Sequence, residues 1–498
     1  MTMKQSKNNL PLLFAIGFGL LFLSLLFIRM GVFDRQPKPD MAAIAPAEDF
    51  SGRDTWMTIF QNDKKIGFSH SHYARLDQGF RFNETVFMRI NTMGMIQDIG
   101  LKTKGRLNAD FSLKSFDFEI ASGRFNFSAI GEISDNALSL QTESAGAKQT
   151  YQFDLSDGIY FTSGIVQAAG TSDLKPGDRL ALKVFDPIAM GQASIQLHVI
   201  GNEAITIMGQ PREATKISLD YKGTAQLAWI DEKGDILREE GLLGIILEKT
   251  SREEALYGLP IQPSQDLTKA ASIPANMDIT HPDRLTQLQF AITATHDIAK
   301  NLQGGRQHYA EPILTIQKES LEDPLIKTSS LEIGEDIKMF LAPSAFVQSD
   351  HPSIQKLASD LTDLSDTHLE KTRKLVAWIQ EHIQRRPVIS LPDALSTLQN
   401  RVGDCNEHAV LFAALARAAG IPTKIEAGVA FLRQRFYYHA WNSVYVGKWL
   451  TVDALFNQIP ADVTHIRLAS GMQEDQLDIL NLIGNLKIQI LDGIASND

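Results

Sequence analysis

The chain of 498 residues contains a single cysteine, Cys405. That excludes an internal disulfide and any metal cage built on several thiolates. The thiol is then either a buried small hydrophobe or a working nucleophile. Positive charge is also scarce: 48 Lys and Arg stand against 59 Asp and Glu, for a formal net charge of -11. No basic stripe interleaved with aromatics occurs, so nucleic acid is excluded as a partner, because phosphate binding needs a basic face. No internal repeat stands out. Long apolar runs are missing too, except LPLLFAIGFGLLFLSLLFI (residues 10–28), which holds no charge.

At helical rise that run would cross roughly 28 Å of hydrocarbon. A cleaved signal peptide is the competing reading, but its apolar core is usually about 7–15 residues with a small-x-small site close behind. Here Arg29 follows directly, and Ala43-Ile44-Ala45 lies far downstream with Pro46 behind it. An uncleaved signal anchor is the expectation. Lys4 and Lys7 precede the run, and Arg29, Arg35 and Lys38 follow it, so charge does not set its orientation. The short leading tail and the lack of a later span point to a translocated C-terminal part, and one cysteine suits an oxidising compartment. The expectation is a single-pass membrane protein with its bulk extracytoplasmic (periplasmic).

The length implies two to four domains, and 44% hydrophobic with 21% charged residues is an ordinary globular composition. Residues 30–50 are rich in Pro and Ala and read as a linker after the anchor (1–29). From 51 to 257 short alternating runs are separated by turn residues. Phe116, Phe118 and Ile120 alternate, Ser122-Gly123 turns the chain, and Phe125, Phe127 and Ala129 alternate back. This predicts a large antiparallel β domain whose residues suggest no chemistry. A second linker (258–283) leads to a β-rich segment (284–345). After that the spacing turns helical: Ile354, Leu357, Ala358 and Leu361, opened by Pro352, then Leu375, Val376, Ile379 and Ile383 behind the candidate cap Asp366.

In RVGDCNEHAVLFAALARAAGIP (residues 401–422) the Ala/Leu-rich pattern after Cys405 predicts a helix that stops at Gly420 and Pro422. Cys405 then sits at a helix N-terminus, where free backbone N–H groups favour a thiolate and can receive a developing oxyanion. The expectation is a depressed thiol pKa. A thiolate nucleophile needs a base, and the base an orienting partner. FYYHAWNSVYVGKWLTVDA (residues 436–454) reads as a hairpin with His439 on its first strand and Asp453 on its second. A two-residue turn at Gly447-Lys448 would aim them at opposite faces. A loop with an odd count, such as 446–448, puts both on one face.

GDCNEHAVLFAALARAAGIP, YYHAW and WLTVDA together resemble the transglutaminase-like (papain-like thiol) superfamily. More narrowly, they resemble its membrane-anchored bacterial members, which carry the module at the C-terminus. The resemblance covers roughly residues 350–470. It implies that Cys405 is the nucleophile, His439 the general base and acid, and Asp453 the residue that orients the imidazole. The family commonly has proline where this chain has Ala454.

Other residues compete for roles. His408 lies one turn after Cys405 and reads as a structural neighbour rather than the base. Gln399, six residues before Cys405, has the spacing of a side-chain oxyanion donor, and Trp441 could wall the acyl site. Zinc on Cys405, His439 and Asp453 would not follow a recognisable ligand spacing, so no metal and no other cofactor is expected. Arg433 and Arg435 hint at an acidic substrate, against the simpler reading of a solvated loop.

The expected fold class is α+β: an N-terminal transmembrane helix, a large antiparallel β region, and a C-terminal transglutaminase-like (papain-like) α+β domain at 346–498. The expected function is thiol acyl transfer on amide bonds of peptides or proteins, as peptidase, amidase or transglutaminase, in a protein held to the membrane by its N-terminal helix. The alternative is a non-catalytic transglutaminase-like binding or assembly module of the cell envelope.

Overall fold

The structure, a computed structural model, describes residues 50–495 apart from 156–157, 162–163, 173, 188–189, 222, 259–260, 262, 296–297, 328–332 and 472–481. The first body is one continuous sheet of fifteen strands. Strands β1 (Gly52–Gln61) to β8 (Ala147–Asp154) run as one antiparallel meander and the strands from Arg179–Asp186 to β15 (Ile245–Thr250) as a second, with the short β9 (Tyr160–Phe161) added in parallel beside Arg179–Asp186. The two meanders join where β1 pairs with β15, Trp56 opposite Thr250. The alternating aromatics set the register: the strand Leu113–Ser122 pairs with Phe125–Ser134, Ser122 opposite Phe125. Phe116, Phe118 and Phe127 then fall on the buried face, where they meet a short helix, α1 (Gly164–Gly170), whose Ile165 and Ala168 are fully buried.

The remaining strands make two smaller sheets. In one, β17 (Leu285–Ala294) lies between β19 (Ile313–Gln317) and the last strand, β26 (Leu486–Ala495), with β18 (Gln307–Ala310) beside β19. The other runs β16 (Ile273–Pro274), β23 (Arg435–Tyr445), β22 (Thr423–Leu432), β25 (Ile466–Gly471), with β24 (Trp449–Val452) also on β23. Phe290, Leu314 and Ile488 of the first pack with Val429, Phe436 and Ile466 of the second in one core. Thus the segment around 285–317 and the C-terminal strand share a core with the strands that carry His439.

Four helices cover the opposite face of the second sheet. They are α2 (Pro352–Leu361), α3 (His368–His382), α4 (Ala394–Asn400) and α5 (Cys405–Ala418). Pro352 opens α2 as expected; α3 is capped by Thr367 with Glu370, one residue after the anticipated Asp366. The central helix is α5: Leu411, Phe412 and Leu415 are wholly buried against Ala440, Val444 and Ile425. Each such side chain contributes about 1.5–3 kcal/mol of transfer free energy, so α5 is fixed firmly to the strand pair beneath it.

Two expectations are corrected here. The molecule is mostly β, 50% strand and 20% helix, rather than α+β, because the fifteen-stranded sheet alone occupies residues 52–250. No helix among the described residues is long and apolar enough to cross a membrane; the longest, α3, has 15 residues where about 20 are needed. The single-pass membrane placement and the periplasmic location tied to it therefore have no support in the structure. The charge-free run 10–28, on which the anchor rested, lies outside the described residues.

Candidate active site

Asp404 caps α5. Its carboxylate accepts the Asn406 N–H at 3.0 Å, and Glu407 reaches back to the Asp404 N–H at 2.9 Å, a reciprocal capping box. Gly403 makes this possible: a Cβ there would lie 2.3 Å from the Glu407 Cβ. Cys405 is therefore the first residue of a well-fixed helix of 14 residues, as the sequence pattern predicts.

Strand β23 passes beside this helix start. β16 pairs with β23 only at Arg435 and Phe436, and β24 pairs with it only from Asn442 on, so the outer edge between them is open. The backbone N–H of Ala440 on that open edge donates to the Cys405 thiol. His439 is the adjacent residue. Tyr445 pairs with Trp449, so the loop is the three-residue form, residues 446–448, with Gly447 at φ 99°. Its odd count puts His439 and Asp453 on one face, and His439 Nε2 lies 2.6 Å from Asp453 Oδ2.

Asp453 is fully buried, and Oδ1 accepts the Phe456 N–H at 2.8 Å. Phe456 in turn stacks on the His439 ring, centroids 4.8 Å apart and planes within 12°. The imidazole is thus held by an acid at one nitrogen and an aromatic plate on one face.

A fourth member went unseen in the sequence. His465, 1% exposed, contacts the same Asp453 Oδ2 through Nε2 at 2.9 Å, and Asp462 Oδ1 through Nδ1 at 3.2 Å. It is delivered by β25, which joins β22 through a bulge at Ala427/Gly428. Gly428 stands opposite His439, and a Cβ there would lie 2.0 Å from the Ile466 carbonyl oxygen. Only glycine lets β25 approach this closely. The missed signal was the pair Asp462 and His465 three residues apart; nothing local ties them to Asp453.

The charges interlock. Burial alone would drive His465 neutral, but Asp453 and Asp462 outweigh it and raise its pKa to about 9. Burial likewise opposes ionisation of Asp453, yet His439 and His465 hold it far below the usual carboxylate range. Asp462 is lowered as well, burial again being outweighed, by His465 and Thr464. At neutral pH the unit is a buried imidazolium between two carboxylates, one of which also holds His439.

The expectation of an acidic thiol is not met. Cys405 is half-buried by its surface; desolvation of the sulfur pushes its pKa up, the charges of Asp404, Glu407 and Asp453 add to the shift, and the Ala440 N–H partly opposes them. Glu407 is itself raised well above the ordinary range, by burial first and Asp404 second. The helix-start field favours a thiolate, but desolvation and adjacent carboxylates prevail.

Of the other residues named from sequence, Trp441 stays beside His439, their ring centroids 6.0 Å apart, and Gln399 falls elsewhere. Gln399 is exposed on α4 and lines a cleft with Glu119, Arg124 and Glu143 of the large sheet. Trp441 is buried on the His439 side of β23, its ring 5.2 Å from that of His465, and its Nε1 has no hydrogen-bond partner. His408 Nδ1 lies 2.7 Å from the Asp404 carbonyl oxygen, within its own helix. Arg435 is spent on Ser272, at 2.6 Å to its hydroxyl, so the charge does not face a substrate. His439, Asp453 and His465 bring ligand-type atoms within 4.8 Å of one another. In the structure both Nε2 atoms lie at hydrogen-bond distance from Asp453 Oδ2, so the three side chains form one hydrogen-bonded unit.

Residues 355–454 match the family described as Transglutaminase-like superfamily. Kyphoscoliosis peptidase of Mus musculus is 26% identical over 189 residues, 34% of this chain and 28% of that protein; the Homo sapiens protein is likewise 26% identical, over 179 residues. The chain thus spans less than a third of the length of these relatives. A candidate cysteine protease from Cytophaga hutchinsonii aligns over 42% of this chain and 86% of its own, with 21% identity and a TM-score of 0.30. A β-barrel-like protein from Brucella abortus, of a domain of unknown function, aligns over 41% of this chain and 99% of its own, with 10% identity and a TM-score of 0.30.

Proposed function

From a chain whose residues 355–454 form a transglutaminase-like domain, we propose a cysteine-dependent enzyme that transfers acyl groups from amide bonds of peptides or proteins. The observation that carries this reading is the Asp453 carboxylate gripping His439 at 2.6 Å, with the Cys405 thiol bound to the N–H of the next residue, Ala440.

At rest the thiol is neutral, because its surroundings disfavour the anion. As a substrate carbonyl arrives, His439 takes the thiol proton, sulfur bonds to the carbonyl carbon, and the electron pair moves onto oxygen. Asp404 caps the N–H groups of Asn406 and Glu407, so the donor the helix start offers to that oxyanion is the backbone N–H of Cys405 itself. Asp453 stabilises the imidazolium of His439 and fixes its ring. Collapse breaks the C–N bond, and the imidazolium gives its proton to the departing amine. The thioester then yields to water, or to a second amine, which His439 deprotonates, and the thiol is restored. Hydrolysis is the simpler outcome, since only water is required.

The raised thiol is the one observation that favours the alternative, a non-catalytic binding or assembly module, and a single experiment separates the two. Iodoacetamide labelling of the purified chain at pH 7 reports on Cys405 alone. General-base assistance typically contributes about 10²–10⁴-fold. The enzyme reading expects His439→Ala to slow labelling by at least about tenfold. Equal rates would sink it and leave the binding module.

A further inference from the structure

The fifteen-stranded sheet holds a cavity of about 490 Å³, remote in sequence from Cys405. This is within the roughly 300–1,000 Å³ of small-molecule sites. Met57, Val166, Ile195, Leu219, Ile236 and Leu247 give it a mostly apolar wall. Polar side chains line it as well, most of them half-buried, but Gln167 lies deep. Gln167, on the enclosed helix α1, is 1% exposed, and its Nε2 has no hydrogen-bond partner. An N–H left unpaired at such depth is unfavourable unless something from outside meets it.

Two further groups face the same space. Glu239 accepts the Gln226 amide at 2.9 Å, and burial together with the charge of Glu84, another lining residue, raises its pKa to about 7. Tyr73 lines it as well. A ligand carboxylate or phosphate would meet the fields of Glu84 and Glu239. A hydroxyl fits both needs: it accepts from Gln167 Nε2 and donates to Glu239.

We propose that this cavity binds an uncharged amphipathic small molecule, with its hydroxyl head between Gln167 and Glu239 and its hydrocarbon body against Met57, Val166, Ile195 and Leu219. The binding is independent of the thiol chemistry and rests on none of its residues. It makes the large sheet a carrier or sensing module beside the C-terminal domain.

The test uses the purified chain and N-phenyl-1-naphthylamine, an uncharged probe that fluoresces in apolar sites. Saturable binding near one per chain is expected, reversed by dodecanol and not by dodecanoate. Gln167→Leu keeps the volume and removes the donor, so dodecanol competition should weaken about three- to tenfold, the usual worth of one hydrogen bond. Leu219→Trp fills the cavity and should abolish probe binding. Circular dichroism melting verifies both folds, and if Leu219→Trp does not fold, Gln167→Leu carries the decision. No saturable probe binding, displacement by dodecanoate as strong as by dodecanol, or unchanged dodecanol competition in Gln167→Leu would each overturn the proposal.

Discussion

His465 Nε2 and Asp453 Oδ2 stand 2.9 Å apart, on the same oxygen that His439 Nε2 contacts at 2.6 Å. One carboxylate oxygen therefore serves two imidazoles. His465, whose pKa is raised to about 9, brings its charge to the same oxygen. His465 thus acts through Asp453 by fixing the carboxylate that orients His439.

A pH dependence of stability follows from His465. Its folded pKa of about 9 lies above the ordinary value of 6.5, so its stabilising effect is fully present below 6.5 and is lost as pH rises through 9. The shift corresponds to roughly 3 kcal/mol, to order of magnitude. The melting midpoint should fall between pH 7 and pH 10 in the native chain. In His465→Gln the midpoint at pH 7 should be lower and the fall much shallower. A native curve that stays flat across this window would mean that His465 is neutral in the fold.

The fully buried Asp453 predicts an asymmetry between two variants. Asp453→Asn leaves the His465 cation facing a neutral amide, and breaking a buried pair from one side costs about 3–5 kcal/mol. It should also slow labelling of Cys405, by no more than His439→Ala does, since the ring loses its orienting charge. Adding His465→Gln to Asp453→Asn should recover part of the lost stability and none of the labelling rate. Thermal melts and iodoacetamide kinetics on the native chain, the two single variants and the double variant check this. Additive losses in the melts would show that the two residues are not coupled.

Much of this site is legible in the sequence because it is local. Asp404 and Glu407 spell a capping box ahead of an apolar helix, and Cys405 is placed by it. The hairpin is equally local: once residues 446–448 form the loop, the period of two puts His439 and Asp453 on one face. His465 is not local. It reaches Asp453 only because β25 pairs with β22 and Gly428 admits the Ile466 carbonyl, relations that no short window contains. The thiol was misjudged for the same reason. The helix start is visible in sequence, whereas the desolvation of the sulfur is a property of the packed fold. The fifteen-stranded sheet was legible as hairpins, Phe116 to Ala129 among them, but its closure through Trp56 and Thr250 joins strands nearly 200 residues apart.

The thiol's surroundings give a third prediction. Asp404 follows burial as the largest influence raising the Cys405 pKa. Asn caps helices about as well as Asp, so Asp404→Asn should keep α5 while removing the charge. Labelling of Cys405 by iodoacetamide at pH 8 should then speed up by about three- to tenfold, because losing that charge lowers the thiol's pKa. A slower rate at an unchanged melting midpoint would mean that Asp404 assists the thiolate.

Gly403 supplies the last. A methyl there would lie 2.3 Å from Glu407 Cβ and 2.8 Å from its Cγ, inside any real contact. Glu407 cannot simply swing aside, because it is 2% exposed, closes the capping box on Asp404 and accepts a hydrogen bond from Ser390. Gly403→Ala must therefore either displace Glu407 or shift the helix start, an overpacking cost of about 1–3 kcal/mol. If Glu407 gives way, the helix start loses a cap but Cys405 stays near Ala440. If the helix start gives way, the sulfur leaves the Ala440 N–H and its reactivity is freed from His439. The double variant Gly403→Ala with Glu407→Gly separates these: only glycine removes the Cβ that the new methyl would strike, so a labelling rate that regains its dependence on His439 assigns the damage to the shifted helix. A single variant that melts and labels like the native chain would show that the strand β21 (Val402–Gly403) can move away at no cost, and that the tight contact does not hold Cys405 in place.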